Sequence, residues 1–309
     1  MPSHTPLVSI ALCTYNGQRF LSRQLDTLIS QDYPNIEIIV VDDCSTDKSC
    51  DILERYARRD QRIKLFRNDK NIGYVRNFER AIKLCNGDLI ALSDQDDLWE
   101  PTKLSVMVNA IDDNIMVYHD SDFIDERNRR IGNNTMASKF RMYEGESCIP
   151  FIMSNCISGH ATVFRREMIK YIFPFAHDNY HDWWISYVAF NVGKVKFVDQ
   201  VLVHYRQHSN SVTDMLKLRG APQPGEKTEW FPVDRSWLNK CSKFRYNKDS
   251  KLIVKTCNVL ENLKEGRNKF RSLVFLVKYF DLLFYFNRKK ERSFLSKVNY
   301  IRKICFEWT

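Results

Sequence analysis

The sequence predicts an α/β protein with a mostly parallel central sheet covered by helices on both faces. Three observations carry this. Over the first 120 residues, short apolar runs rich in β-branched residues alternate with segments of helical spacing. Those runs are nearly continuous in hydrophobicity, the pattern of strands buried on both faces. The polar clusters fall directly after the runs, where right-handed crossovers gather the strand C-termini on one edge.

The elements follow in order. Residues 8–13 (VSIALC) read as a buried strand. Residues 18–30 place Phe20, Leu21, Leu25, Leu28 and Ile29 at helical spacing. Residues 36–41 (IEIIVV) form a strand, and 47–59 a helix with Ser45 or Thr46 as N-cap. A short strand at 63–66 precedes a helix at 74–85 with Val75, Phe78, Ala81, Ile82 and Cys85 on one side. Residues 89–92 (LIAL) run as a strand into SDQDD, Pro101 opens a helix to about residue 111, and 115–118 is a further strand. Residues 122–146 are polar and read as irregular loops. Beyond them, 161–164 is strand-like, 181–192 helical, and 195–205 one or two strands. The stretch 216–227 (LKLRGAPQPGEK) has linker composition.

At roughly 150 residues per domain, 309 residues make about two domains, or one with an appendage. The expected organisation is a body over 1–215, with a nucleotide-binding half (1–120) and an acceptor half (121–215), a linker at 216–239, and a basic helical region at 240–309. With 44% hydrophobic residues, wholesale disorder is excluded. Nine cysteines without a C-x-x-C pair, after a polar start, point to reduced thiols and a cytoplasmic location. The net charge of +9 is uneven: residues 240–309 hold 18 Lys/Arg against 6 Asp/Glu, a net of +12, which leaves −3 on the rest. The tail also holds the apolar run 273–286 (LVFLVKYFDLLFYF), too short at 14 residues to span a bilayer, which takes about 20. It suits either a helix in a membrane interface, where each flanking basic residue contributes about 1 kcal/mol, or a helix packed on the body. No nucleic-acid-binding motif accompanies the charge, so nucleic acid is not an expected partner.

Polar residues at three strand ends define a candidate site at the edge where such sheets bind ligands. Asp94 and Asp96, with Asp97 beside them, make an anionic spot that a hard cation, Mg²⁺ or Mn²⁺, would neutralise while bridging to a substrate diphosphate. Asp42 and Asp43 can contact a nucleotide or cap the following helix. Asp182, between His181 and the pair Trp183 and Trp184, can be a general base or a first-turn helix acid; the indoles can stack on sugar or fill the core. His208 is a structural histidine or a metal contact. No G-x-G-x-x-G or P-loop is present, which disfavours dinucleotide and P-loop chemistry.

The segments VSIALCTYNG, VVDDCSTD, NIGYVRN, LIALSDQDDLWEPTKL, SGHATVFRREM, HDWWISYVAF and VHYRQHSNSVT together resemble family 2 glycosyltransferases of the GT-A fold, over roughly the first two thirds of the chain. SDQDDLW, HDWW and YRQH are similar to bacterial transferases of O-antigen, capsule and cell-wall assembly, several of which use dTDP-rhamnose. The resemblance implies a nucleotide pocket at Thr14, Tyr15 and Asn16, base contact at Asp43 beside Asp42, and a donor contact at Asn71. It implies Asp94 and Asp96, with Gln95 between them, at the ribose and metal-bound diphosphate, and His208 completing the metal site. Asp182 matches the base of inverting members, although His181 stands where some members carry Glu; His181, Trp183 and Trp184 would face the acceptor. The implied reaction moves a sugar from a nucleoside-diphosphate donor to a saccharide or lipid-linked saccharide acceptor at the inner membrane face. A UDP-hexose donor, or a non-catalytic saccharide- or membrane-binding relative, are the alternatives. A nucleotidyltransferase on the same sheet would need a basic, Gly-rich first loop, which LCTYN lacks.

Overall fold

The computed structural model describes residues 5–175, 180–208, 233–287 and 292–307. The expected linker, 216–239, lies outside them as far as residue 232, as do the last residues of the expected body, 209–215; residues 235–239 open a helix instead of a linker. The first half runs β1 (Val8–Thr14), α1 (Leu21–Ile29), β2 (Ile36–Asp42), α2 (Ser49–Arg59), β3 (Ile63–Arg67), α3 (Tyr74–Leu84), β4 (Leu89–Ser93), β5 (Leu98–Trp99) and α4 (Lys103–Ile111). It continues through β6 (Met116–Ile124), β7 (Arg130–Thr135), α5 (Met136–Lys139), α6 (Pro150–Met153), β8 (Thr162–Arg165), α7 (Ile169–Ile172), α8 (His181–Val192) and β9 (Val195–Arg206). The chain then turns helical, with α9 (Arg235–Lys243), α10 (Ser250–Lys264), α11 (Lys269–Lys278), α12 (Phe280–Leu283) and α13 (Phe294–Phe306).

The strands form one sheet in the order β3-β2-β1-β4-β8-β6-β9-β5, with β7 on β6. β3, β2, β1 and β4 are parallel, and their register aligns Thr14 with Asp42 and Leu12 with Ser93. The ends of β1, β2 and β4 therefore open on one edge. Alternation along the strands divides the core. Ile10, Leu12, Ile38 and Val40 face α1 and α4, whereas Ala11, Cys13, Ile39 and Val41 face α3 and α8.

Residues 122–146 are not loops throughout. β6 is buried along its full length to Ile124 and pairs with β7. Its polar end (HDSD) is compatible with a strand because both acids are satisfied inside: Asp120 Oδ1 accepts from the Ser121 and Ala137 amides, and Asp122 Oδ1 lies 2.6 Å from His204 Nδ1. The N-cap expected for α2 also differs. That helix starts at Ser49 without a side-chain cap, because Ser45 Oγ donates instead to Asp42 Oδ1 at 2.5 Å.

The C-terminal helices share a continuous core with the segment that carries α6 and α8. Trp237 is 1% exposed and donates its indole N–H to the Ile152 carbonyl at 3.0 Å, and Tyr187 bonds Asn247 Oδ1 at 2.7 Å. Most of the apolar run 273–286 faces inward: Phe275, Leu276, Phe280, Leu283, Phe284 and Phe286 are buried. Among the described residues no helix is long and apolar enough to cross a membrane.

Candidate active site

The end of β1 is held open by side chains from two neighbouring strand ends. Gln95 pairs reciprocally with the Tyr15 backbone: the Tyr15 amide donates to Oε1 at 2.9 Å, and Nε2 donates to the Tyr15 carbonyl at 3.0 Å. Asn16 adopts φ 49°, a conformation Asn tolerates, and its Oδ1 accepts the Thr46 amide. A Cβ on Gly17 would collide with the Gln95 carboxamide. Gly17→Ala is therefore expected to open the clamp and cost about 1–3 kcal/mol of stability. Denaturant titration and faster exchange of the Tyr15 amide check this; an unchanged midpoint and unchanged protection would refute it.

The two acids after β2 have different environments. Asp43 Oδ1 accepts from Asn68 Nδ2 and the Ile72 amide, and its Oδ2 from the Gly73 amide, all within 2.9 Å. It ties down the loop carrying Asn71 while still lining the cavity. Asp42 is fully buried and occupied by Thr14 Oγ1 and by both the amide and hydroxyl of Ser45. It does not line the cavity, so the nucleotide contact expected of Asp42 is corrected to a scaffolding role.

The acidic motif after β4 splits into two clusters. Asp96 Oδ2 lies 2.9 Å from His208 Nε2, while Asp94 and Asp97 face His160, whose Nδ1 is 3.9 Å and 3.5 Å from their Oδ2 atoms. One ligand atom each from Asp94, Asp97 and His160 lies within 4.8 Å of the others. The expected set Asp94, Asp96 and His208 is thus divided, with His208 on Asp96 and His160 on Asp94. Asp97 Oδ2 is buried without a hydrogen-bond partner. Oxygen donors, an imidazole and an orphaned buried carboxylate oxygen together fit a hard divalent cation. Burial, then the charges of Asp96 and Asp182, push the Asp94 carboxyl up to about 7. Burial and the same acidic neighbourhood hold Asp97 well above the usual carboxylate range.

Two buried cations brace this motif. Lys103 is fully buried, donates to the His160 carbonyl at 2.6 Å, and sits 3.1 Å over the Trp99 ring. Burial drives its ammonium down, opposed by Asp97 and Asp94. Arg206 donates from its backbone to Asp97 Oδ1 at 2.9 Å and from Nε to the Asp96 carbonyl at 2.6 Å. Sequence reasoning missed both cations and His160. Lys103 lies on the same helix face as Leu104 and Met107, where a charge looks like a patterning error. His160 lies in SGHATVF, a segment without a local signal for its role.

α8 brings a further wall of the cavity. Its N-cap is Tyr180, so Asp182 is not the cap; it stands in the first turn and accepts the Trp183 amide at 2.7 Å. Burial pushes its carboxyl up to about 6, against hydrogen bonds from the Trp183 and Gly159 backbone. His181 stacks on Phe78 at 4.2 Å, neither ring nitrogen has a hydrogen-bond partner, and burial pushes it down to about 3. Trp183 donates its indole N–H to the Phe151 carbonyl and lines the cavity. Trp184 does not line it: 4% exposed, it donates to the Ile172 carbonyl and packs on Trp237 and Phe244. The acceptor contact expected of Trp184 is corrected to a core role, because in the first turn of α8 it points inward.

A cavity of about 1010 Å³ joins these parts. Thr14, Tyr15, Asn16, Asp43, Asn71, Asp94, Gln95, Asp96, His181, Asp182, Trp183 and His208 all line it, with His160, Tyr74 and Tyr180 in addition. It has the size of a small-molecule site, and Asp94, Asp96 and the raised-pKa carboxyl of Asp182 share its wall.

Comparison with known proteins agrees with this architecture. An uncharacterized glycosyltransferase of Haemophilus influenzae is 27% identical over 224 residues, 68% of each chain. The Escherichia coli UDP-Glc:alpha-D-GlcNAc-diphosphoundecaprenol beta-1,3-glucosyltransferase WfgD is 29% identical over 187 residues, 60% of this chain and 71% of its own. Matches to curated relatives span about two thirds of their length. Among solved structures, Staphylococcus aureus TarS in complex with UDP-GlcNAc superposes with a TM-score of 0.55 at 18% identity, over 97% of this chain and 82% of that one. The Pyrobaculum calidifontis mannosyltransferase PcManGT, in complex with GDP-Man and Mn²⁺, gives 0.51 at 15%, over 98% and 71%. These structural likenesses show a GT-A-like fold. Residues 9–173, more than half of the chain and the segment that builds the nucleotide-side strand ends, match the family model Glycosyl transferase family 2. This chain belongs to that family.

Proposed function

We propose that this protein is an inverting, divalent-cation-dependent glycosyltransferase of surface polysaccharide synthesis. It moves a sugar from a nucleoside-diphosphate donor, dTDP-L-rhamnose first, to a saccharide or lipid-linked saccharide at the inner face of the plasma membrane. The carrying observation is that one cavity is lined both by Asp94 and Asp96 after β4 and by Asp182, a carboxyl pushed up to about 6. Asp182 takes the acceptor hydroxyl proton. The acceptor oxygen bonds to the anomeric carbon while the bond to the diphosphate oxygen breaks on the opposite face, so the configuration inverts without a covalent sugar–enzyme intermediate. Asp94 and Asp96, supported by His208, would hold the cation, with Asp97 and His160 within reach; when bound, it neutralises charge on the leaving diphosphate. His181 and Trp183 line the acceptor side.

A UDP-hexose donor is the second reading, favoured by relatives whose names carry UDP-Glc and UDP-GlcNAc. A donor screen with Mn²⁺ or Mg²⁺ decides: nucleoside diphosphate release from dTDP-rhamnose, UDP-galactose, UDP-glucose, UDP-N-acetylglucosamine or GDP-mannose names the sugar. Silence from all of them, with no metal-dependent nucleotide binding, refutes the enzyme. Asp96→Ala is expected to weaken Mn²⁺-dependent binding of dTDP or UDP at least about tenfold. Equal calorimetric affinity would remove Asp96 from the cation site.

A further inference from the structure

Exposed large apolar side chains are distributed unevenly. Tyr15, Tyr74 and Tyr180 are on the cavity lining; every other one among the described residues lies in the C-terminal helices. Phe270 is 71% exposed, Leu295 78%, Phe294 69% and Val274 54%. These side chains are interleaved with charge. On α11 the exposed positions Phe270, Arg271, Val274 and Lys278 follow helical spacing and form one stripe, opposite the buried Ser272, Phe275 and Leu276. On α13, Leu295, Asn299, Arg302 and Phe306 form a second stripe, away from the buried Ile301, Ile304 and Cys305. The two helices pack together antiparallel. Lys269, opening α11, acts electrostatically on Cys305 near the end of α13, and Lys297 near its start bonds Asp281 just beyond α11 at 2.6 Å.

We propose that the outer stripes of α11 and α13 form a docking surface for an anionic phospholipid bilayer. This deepens the membrane part of the proposed function and leaves the sugar-transfer part untouched. Most apolar side chains of the run 273–286 are buried or packed on the core, and from it only Val274 and Lys278 join the outer stripe. The stripe carries apolar side chains that can enter the interface, and basic stems that reach back to lipid phosphates. Charge selects this occupant over a second copy of the chain: the outer stripes present Arg271, Lys278 and Arg302 within a region of net +12, so two such faces repel, whereas an anionic leaflet attracts them.

The test is co-sedimentation of the full chain with phosphatidylglycerol/phosphatidylcholine vesicles and with pure phosphatidylcholine vesicles. Binding to the mixed vesicles is expected, weakened by salt and much weaker on neutral ones. Arg271→Gln with Lys278→Gln should reduce it about 25-fold, near fivefold per charge. Phe270→Ser with Leu295→Ser should reduce it on both vesicle types. Neither pair touches the cavity, so nucleotide binding should stay at the parent level, which separates this test from that of the transferase. Binding to neither vesicle type, or binding that both variant pairs retain in full, overturns the proposal. A dimer in solution that is lost in the Phe270/Leu295 pair, without vesicle binding, would assign the face to a second copy and overturn it too.

Discussion

Asp182→Asn is expected to lower sugar transfer by about 10²–10⁴-fold while donor binding persists, because it removes only the proton acceptor. Two titratable groups face the acceptor side from α8, and their environments set them apart. His181, pushed down to about 3, is neutral and a weak base near pH 7, whereas Asp182, at about 6, is ionised there yet still basic enough to take a proton. The active form is the carboxylate, so the parent rate should rise with pH through about 6 and then level. Linkage gives a second readout of opposite sign. The folded pKa lies above the ordinary value of 3.8, so the fold favours the protonated acid. The stability tied to this group is fully present below that ordinary value and is lost as pH rises through about 6. Asn has no charge to desolvate. The variant should therefore unfold at higher denaturant than the parent near about pH 8, and the two should converge near about pH 4. Parent-rate transfer by the variant would remove Asp182 as the base. Lost transfer with a lowered midpoint at both pH values would mean that the substitution damaged the fold instead.

The nucleotide-side half was the most legible part of the sequence. VSIALC, IEIIVV and LIAL are apolar but for Ser9 and Glu37, which are buried and hydrogen-bond each other, and such runs suit a strand covered on both faces. Their polar ends then had to share an edge. The acceptor half was less legible because its strands are polar. HDSD in β6 becomes a strand only through partners far away in sequence, such as His204 and Ala137. The same limit applies to individual side chains. Asp42 and Asp43 are adjacent and chemically identical, but one faces Thr14 and Ser45 and the other the loop 68–73, which no local pattern distinguishes. Trp183 and Trp184 separate for the same reason: a step of one residue on a helix moves one indole from the cavity to the core. Lys103 and His160 were invisible because each acts from beneath the acidic loop, through contacts set by the tertiary fold.

Trp237→Ala is expected to destabilise the whole chain by about 3–5 kcal/mol, in a single unfolding transition. Trp237 stands on α9, the helix that leads into the basic C-terminal region, yet it is among the largest fully buried side chains of the described residues. Its ring lies 4.8 Å from Trp183 and 6.2 Å from Trp184, and its N–H satisfies the Ile152 carbonyl beside α6. Truncation leaves a cavity and an unpaired carbonyl, two of the costliest single-site defects. Trp237→Phe separates them. It keeps most of the volume and loses only the hydrogen bond, so its cost should be nearer about 1 kcal/mol. If the tail were an independent appendage, Trp237→Ala would melt it alone, giving two transitions and a body of parent stability; that outcome would overturn the shared core. A single lowered midpoint would have a consequence for the site. Trp183 lines the cavity with Trp237 behind it, so the C-terminal helical region, which also carries the proposed membrane face, braces that cavity wall.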